Sequence, residues 1–224
     1  ADASLYRRSF SEGFQRLFGA PDDWCILALL PSYLERKGSS LVYMMAHLIE
    51  KSNHPDSGFY LDKLEDLSGI LRKRTEDGHP TLLLGVSFAL LDLAEQFPQK
   101  LGEHIIVMET GGMKGRRKEM VRGELHHQLK EAFGLPAIHS EYGMTELLSQ
   151  AYSKGEGRFV TPPWMRVSMR DPNDPLSPAG AGQSGGINVM DLANVYSCSF
   201  IATGDLGKSY SDGSFEVLGR FDHS

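Results

Sequence analysis

Ile138-His-Ser-Glu-Tyr-Gly-Met-Thr-Glu146 is the stretch on which the reading of this chain turns. It follows a helical pattern over residues 115–133, with Met120, Val121, Leu125 and Leu129 on one face and Gly134 and Pro136 as the stop. The spacing therefore predicts a strand that delivers its last residues to the carboxyl edge of a sheet, where open α/β sheets bind ligands. Upstream, apolar runs at 105–108, 81–85 and 24–30 predict buried strands, and residues 88–97 a helix that follows the second of them at once. This βαβ order predicts an α/β fold over residues 1–155, with a mostly parallel sheet flanked by helices. Downstream, Pro162, Pro163, Pro172, Pro175 and Pro178 and the glycine-rich stretch 180–186 separate short apolar runs at 187–190 and 196–202. A smaller β-rich part, distorted and barrel-like, is expected over 156–224, with a hairpin at Asp212-Gly213, a pair suited to positive φ.

A chain of 224 residues with 41% hydrophobic content can bury a sizeable core. Its formal charge of -6, with no basic run longer than the short cluster Lys114, Arg116, Arg117 and Lys118, argues against a nucleic-acid surface as the main business. Small-molecule or protein partners fit better. The two cysteines, Cys25 and Cys198, lack metal-ligand spacing and read as free thiols in the core. With no apolar run near the ~20 residues that span a bilayer, no membrane span is expected and the cytoplasm is the expected compartment. The chain opens without Met and breaks off inside a motif, so it reads as a piece of something longer.

Within the opening stretch, Gly143 permits a sharp turn and Tyr142 offers a ring to a planar base. Thr145 and Glu146 are expected to start the next helix, bringing a hydroxyl and free N–H groups to a phosphate and a carboxylate to a hard cation. The same residues equally suit a plain strand-to-helix turn with an N-capping Thr and a solvated Glu. In Ile201-Ala-Thr-Gly-Asp-Leu-Gly207, Asp205 has two acceptor oxygens for the two hydroxyls of a ribose, although an Asx turn explains an isolated Thr-Gly-Asp. In Gly219-Arg-Phe-Asp222, Arg220 suits a ribose or phosphate contact, or a surface salt bridge. His126 and His127 point about 100° apart on a helix, cannot chelate one ion together, and read as surface residues. His139 reads as a buried, hydrogen-bonded residue near the proposed site.

Together and in this order, the three segments resemble motifs of the adenylate-forming (ANL) superfamily, which includes acyl-CoA and aryl-CoA synthetases, luciferase-like enzymes, peptide-synthetase adenylation domains and acyl-protein synthetases. Glu141-Tyr-Gly-Met-Thr-Glu146 is similar to the family's Tyr-Gly-x-Thr-Glu motif, Thr203-Gly-Asp-Leu206 to its Thr-Gly-Asp-Leu motif, and Gly219-Arg-Phe-Asp222 to its hinge motif. Thr110-Gly-Gly-Met113 is similar to the turn that lies against adenine, and Leu30-Pro-Ser-Tyr33 with Ser39 and Ser40 to the segment leading to the acyl pocket. The core motif and residues 80–95 look most like the acyl-protein synthetase and phenylacetate-CoA ligase branch.

The resemblance implies ATP-dependent activation of a fatty or aryl acid as an acyl-adenylate, with transfer to a CoA or protein thiol. Tyr142 would stack on adenine, with Glu141, Gly143, Gly111, Gly112 and Met113 also lining the nucleotide. Thr145 would meet the α-phosphate, Glu146 would hold Mg²⁺, Asp205 the ribose hydroxyls, and Arg220 ribose or phosphate, while Asp222 would be the hinge. The family's Ser/Thr/Gly-rich phosphate loop and small C-terminal domain are not found in these 224 residues. Two other readings stay open: a catalytically incomplete nucleotide-binding or interaction module derived from such an enzyme, and an unrelated doubly wound protein.

Overall fold

The computed structural model describes residues 3–30, 38–111, 117, 120–180 and 182–221. It contains two compact units. An α/β unit comprises Phe14–Glu141 and Lys154–Glu156, and a β-rich unit comprises Ala1–Gly13, Tyr142–Ser153 and Gly157–Ser224. The division expected between 155 and 156 thus falls mainly at Glu141/Tyr142, and the first helix, α1 (Ala3–Phe18), contributes to both units. Tyr6, Phe10 and Phe14 recur every fourth residue along α1 and are buried, as an amphipathic helix requires.

In the α/β unit, β1 (Cys25–Leu29), β2 (Gly58–Phe59), β3 (Thr81–Val86), β4 (Ile105–Thr110) and β5 (His139–Tyr142) pair in parallel in the order β2-β1-β3-β4-β5. All five residues of β1 are fully buried, as its unbroken apolar run requires, and each large side chain there contributes about 1.5–3 kcal/mol. The intervening helices are α2 (Ser40–Ser52), α3 (Leu64–Asp77), α4 (Ser87–Gln96) and α5 (Arg122–Phe133). Ser39, one of the two serines placed near an acyl pocket, is the N-cap of α2, and its hydroxyl accepts from the Val42 amide. Gly134 ends α5 with φ 65°, the left-handed conformation expected of a glycine stop. α5 begins at Arg122, later than residue 115, and Val121 stands 73% exposed just outside it while Leu125, Leu129 and Phe133 face inward. The register pairs Val86 with Thr110 and Thr110 with Glu141, so the carboxyl ends of β3, β4 and β5 lie level.

In the β-rich unit the strands are β6 (Ala151–Ser153), β7 (Phe159–Val160), β8 (Met165–Arg170), β9 (Ser184–Asp191), β10 (Phe200–Ser209) and β11 (Phe215–Arg220). Their order is β6-β7-β11-β10-β9-β8, and the pairings within it are antiparallel. Phe159, Phe215, Ile187, Val189, Met165 and Met169 form the core with Tyr142. The hairpin forms where Asp212-Gly213 predicts it: Gly213 has φ 83°, and the Asp212 side chain accepts from the Ser214 amide. Two local expectations fail. The run at 196–202 becomes strand only from Phe200, with Tyr196 largely exposed, and Thr145 and Glu146 form a turn instead of starting a helix. Among the described residues no helix is long and apolar enough to cross a membrane.

Candidate functional site

Tyr142 is the last residue of β5, and within the β-rich unit its ring packs edge-on against Phe159 and Phe215, at centroid distances of 6.0 and 5.6 Å. Its hydroxyl donates to Asp205 Oδ2 at 2.8 Å. Burial and the neighbouring Asp205 charge push the phenol pKa well above its usual range, so Tyr142 stays a donor. Asp205 sits in an irregularity of β10 between Ala202 and Leu206, where the pairing with β9 shifts register. Its carboxylate, on a side chain 10% exposed, also accepts from Arg220 Nε at 3.0 Å on the other oxygen. The Arg220 side chain is 82% exposed, so this pair adds little stability and leaves the guanidinium free to move. The Thr203 hydroxyl accepts from the Asp205 amide and donates to the Ile187 carbonyl. The chain after Arg220 is tied back by the Phe221 amide on the Gly204 carbonyl at 2.9 Å. Three residues from three separated segments thus meet at one carboxylate: Tyr142, Asp205 and Arg220.

Thr145 and Glu146 are exposed on a turn closed by the Leu147 amide on the Met144 carbonyl. Two residues that sequence reasoning missed hold this turn. Asn194 Nδ2 donates to the Glu146 carbonyl at 2.7 Å, and fully buried Asp191 accepts from the amides of Leu148 and Ser149 and from the Ser149 hydroxyl. Their signal in the sequence is the Asx-rich run Asp191-Leu-Ala-Asn194 at a strand end. Asp191 also accepts from the Ala193 amide, closing its own turn.

In the α/β unit, the level ends of β3, β4 and β5 gather a second polar cluster. Ser87 donates to the Gly111 carbonyl at 3.1 Å and lies 3.4 Å from Glu109 Oε2. Buried Glu109 accepts from Arg122 Nε at 3.3 Å, with His126 Nε2 3.6 Å away. Thr110 donates a short hydrogen bond to Glu141. Burial pushes the Glu141 carboxyl up to about 7, with the Glu109 charge adding to it and the Thr110 bond opposing. Gly111 is exposed with φ 72°.

His126 is therefore buried, correcting its reading as a surface residue. Ser140 Oγ lies 3.3 Å from His126 Nε2, the same nitrogen that faces Glu109, so Ser140, His126 and Glu109 do not form a nucleophile–base–acid relay. His139 is half-buried, its Nδ1 is buried without a hydrogen-bond partner, and burial lowers its pKa to about 4. Cys25 is buried as expected, whereas Cys198 is exposed and not a core residue. Arg117 of the basic cluster pairs with Asp92 and Glu95. Gly112, Met113 and Asp222, and Pro31 to Tyr33 of the acyl-pocket segment, lie outside the described residues. No group of three or more His, Cys, Asp or Glu side chains among the described residues could hold a metal ion by itself.

The fold is similar to that of solved acid and CoA ligases. The ATP-bound structure of MatB from Rhodopseudomonas palustris superimposes with a TM-score of 0.70 at 18% identity, over 96% of this chain and 44% of that one. O-succinylbenzoate coenzyme A synthetase (MenE) from Bacillus subtilis, in complex with AMP, gives 0.62 at 18% identity, over 98% and 45%. A benzoate CoA ligase from Burkholderia xenovorans LB400 gives 0.62 at 16% identity, over 97% and 45%. No family model and no curated protein sequence matches the chain. The chain spans somewhat under half the length of these ligases.

Proposed function

We propose that this chain holds ATP for the activation of a carboxylic acid, in an AMP-forming acid–thiol ligase. The observation that carries this reading is the meeting of Tyr142, Asp205 and Arg220 at one buried carboxylate, on a fold shared with ATP-bound and AMP-bound ligases. Each oxygen of Asp205 has one protein donor in the structure and keeps a second lone pair, enough to accept the two hydroxyls of a ribose. Arg220, held by a single exposed ion pair, can turn to ribose or phosphate. Tyr142, Glu141, Gly143, Gly111, Gly112 and Met113 are assigned to the adenine side. The Thr145 hydroxyl is assigned to the α-phosphate, and Asp222 to the hinge.

Mg²⁺ fits Glu146, because this ion needs only one or two carboxylates when substrate phosphates supply other ligands. An exposed carboxylate on a turn suits a cation carried in with the triphosphate. Bound there, it would supply charge neutralisation to the phosphates. The acid's carboxylate oxygen attacks the α-phosphorus, the bond to the bridging oxygen breaks, and pyrophosphate leaves. The acyl-adenylate then passes its acyl group to a thiol of CoA or a protein, releasing AMP. The chain's residues serve by placing two anions in line and fixing donors where charge develops. Fatty and aryl acids are the substrate classes proposed, in the acyl-protein synthetase or phenylacetate-CoA ligase branch.

Carboxylate-dependent exchange of pyrophosphate into ATP, assayed on the full-length gene product with a panel of fatty and aryl acids, tests this reading. Exchange is expected with at least one acid. It should fall by about tenfold or more in Glu146→Ala and Asp205→Ala variants that remain folded. Unchanged exchange in both variants would refute the assignment.

A further inference from the structure

Arg170 lies in none of the segments read as chemistry, yet it makes three hydrogen bonds to β9 and β10, the latter carrying Asp205. From β8 its Nη1 donates to the Ile187 carbonyl and to Asn188 Oδ1, both at 2.9 Å, and its Nη2 donates to the Thr203 carbonyl at 2.5 Å. Ile187 and Thr203 belong to the two strands whose pairing slips: Ala202 pairs with Asn188 and Leu206 with Gly186, leaving residues 203–205 bulged opposite Ile187. The guanidinium therefore satisfies carbonyls at the place where the ladder is interrupted. A planar fork with five donors can bind three acceptors on two strands, and a lysine ammonium cannot reproduce that geometry.

Arg170 reaches β10 only because the residue opposite it on β9 has no side chain. That residue is Gly186, and a Cβ there would lie 2.5 Å from Arg170 Cζ and 2.7 Å from Nε. The guanidinium also stands 5.4 Å from the Phe221 ring centroid, and Phe221 is the residue whose amide holds the Gly204 carbonyl. One side chain thus touches the base of the Thr-Gly-Asp bulge and the segment that follows Arg220.

We propose that Arg170 is a positioning residue, lying across Gly186 to hold the Thr203–Asp205 bulge in the shape that presents the Asp205 carboxylate to a ribose. This rests on the reading of Asp205 as the ribose acceptor. Arg170 touches no substrate; it acts on the backbone that aims Asp205. A lost hydrogen bond to a charged acceptor is a loss of roughly 10- to 100-fold in binding, and only a ligand with ribose hydroxyls feels it.

The test measures dissociation constants of ATP and 2′,3′-dideoxy-ATP on the full-length protein, and takes their ratio. Wild type is expected to prefer ATP by about tenfold or more, and Asp205→Asn to lose most of that preference. Arg170→Met should bring the ratio close to one while leaving the dideoxy affinity near its wild-type value, which general destabilisation would not do. Gly186→Ala displaces the guanidinium without removing it and should give the same collapse. Combined with Arg170→Met it should add little, because both act on one contact. Arg170→Lys should recover only part of the preference. If folded Arg170→Met and Gly186→Ala both keep the wild-type ratio, or weaken the two nucleotides equally, the positioning role is wrong although the Asp205 reading stands. A wild-type ratio of one, unchanged by Asp205→Asn, overturns the Asp205 reading and Arg170's role with it.

Discussion

Glu141 shows what burial does to a carboxyl with an acidic neighbour. Closed in beside Thr110 and Glu109, it keeps its proton up to about pH 7, whereas in the unfolded chain it titrates near 4.5. Between these two values the native state holds a proton that the unfolded state has lost, so this group's contribution is full below pH 4.5 and disappears as pH rises through 7. Glu141→Gln keeps an acceptor for Thr110 and removes the titration. Urea unfolding from pH 4.5 to 7.5 is expected to show wild type losing stability relative to the variant, by on the order of 3 kcal/mol across the range. Parallel curves for the two proteins would show that Glu141 is ionised when folded. At this scale the sequence was most informative for residues that carry their own motif, Tyr142, Asp205 and Arg220. It misled for His126: adjacent helix positions diverge by about 100°, so one of two neighbouring histidines can turn to the core while the other stays in solvent, and here His126 is buried and His127 exposed. Arg170 was invisible because two of its three partners are backbone carbonyls of other strands, which no side-chain pattern records.

The turn at Thr145–Glu146 illustrates the same limit for elements. A hydroxyl followed by an acid after a glycine is a helix-start pattern, and locally nothing contradicts it. The amides that follow it, Leu148 and Ser149, are instead taken by Asp191, 43 and 42 residues further along the chain. A buried carboxylate that satisfies four donors outweighs the propensity of a short stretch. Asp191→Ala leaves those donors without their acceptor and should destabilise the protein by about 3 kcal/mol or more, measured by chemical denaturation. A loss below about 1 kcal/mol would mean that water replaces the carboxylate freely. β1, β3 and β4 were legible for the opposite reason: their signal is an apolar run, and β1 buries every residue of it. β2, with two residues, has no run long enough to read.

For the whole molecule, composition correctly indicated a chain with a large core, but the segment boundaries followed contacts rather than sequence order, because residues 1–13 join strands that come much later. The chain has two tryptophans, Trp24 in the α/β unit and Trp164 in the β-rich unit, so each unit carries its own fluorescent reporter. Trp24 donates to the Phe18 carbonyl and Trp164 to the hydroxyls of Ser9 and Ser149, so each indole is anchored within its unit. A ligand that binds only the native state stabilises it by RT ln(1 + [L]/Kd), about 1.4 kcal/mol for each tenfold rise in ligand well above Kd. Tyr142, Thr145, Glu146, Asp205 and Arg220 all belong to the β-rich unit. In a Trp24→Phe variant, Trp164 emission should therefore report a denaturation midpoint that climbs with ATP by that increment, and Asp205→Ala should abolish the climb. A midpoint that rises at Trp24 and stays fixed at Trp164 would place the nucleotide away from Asp205 and remove the basis for the whole assignment.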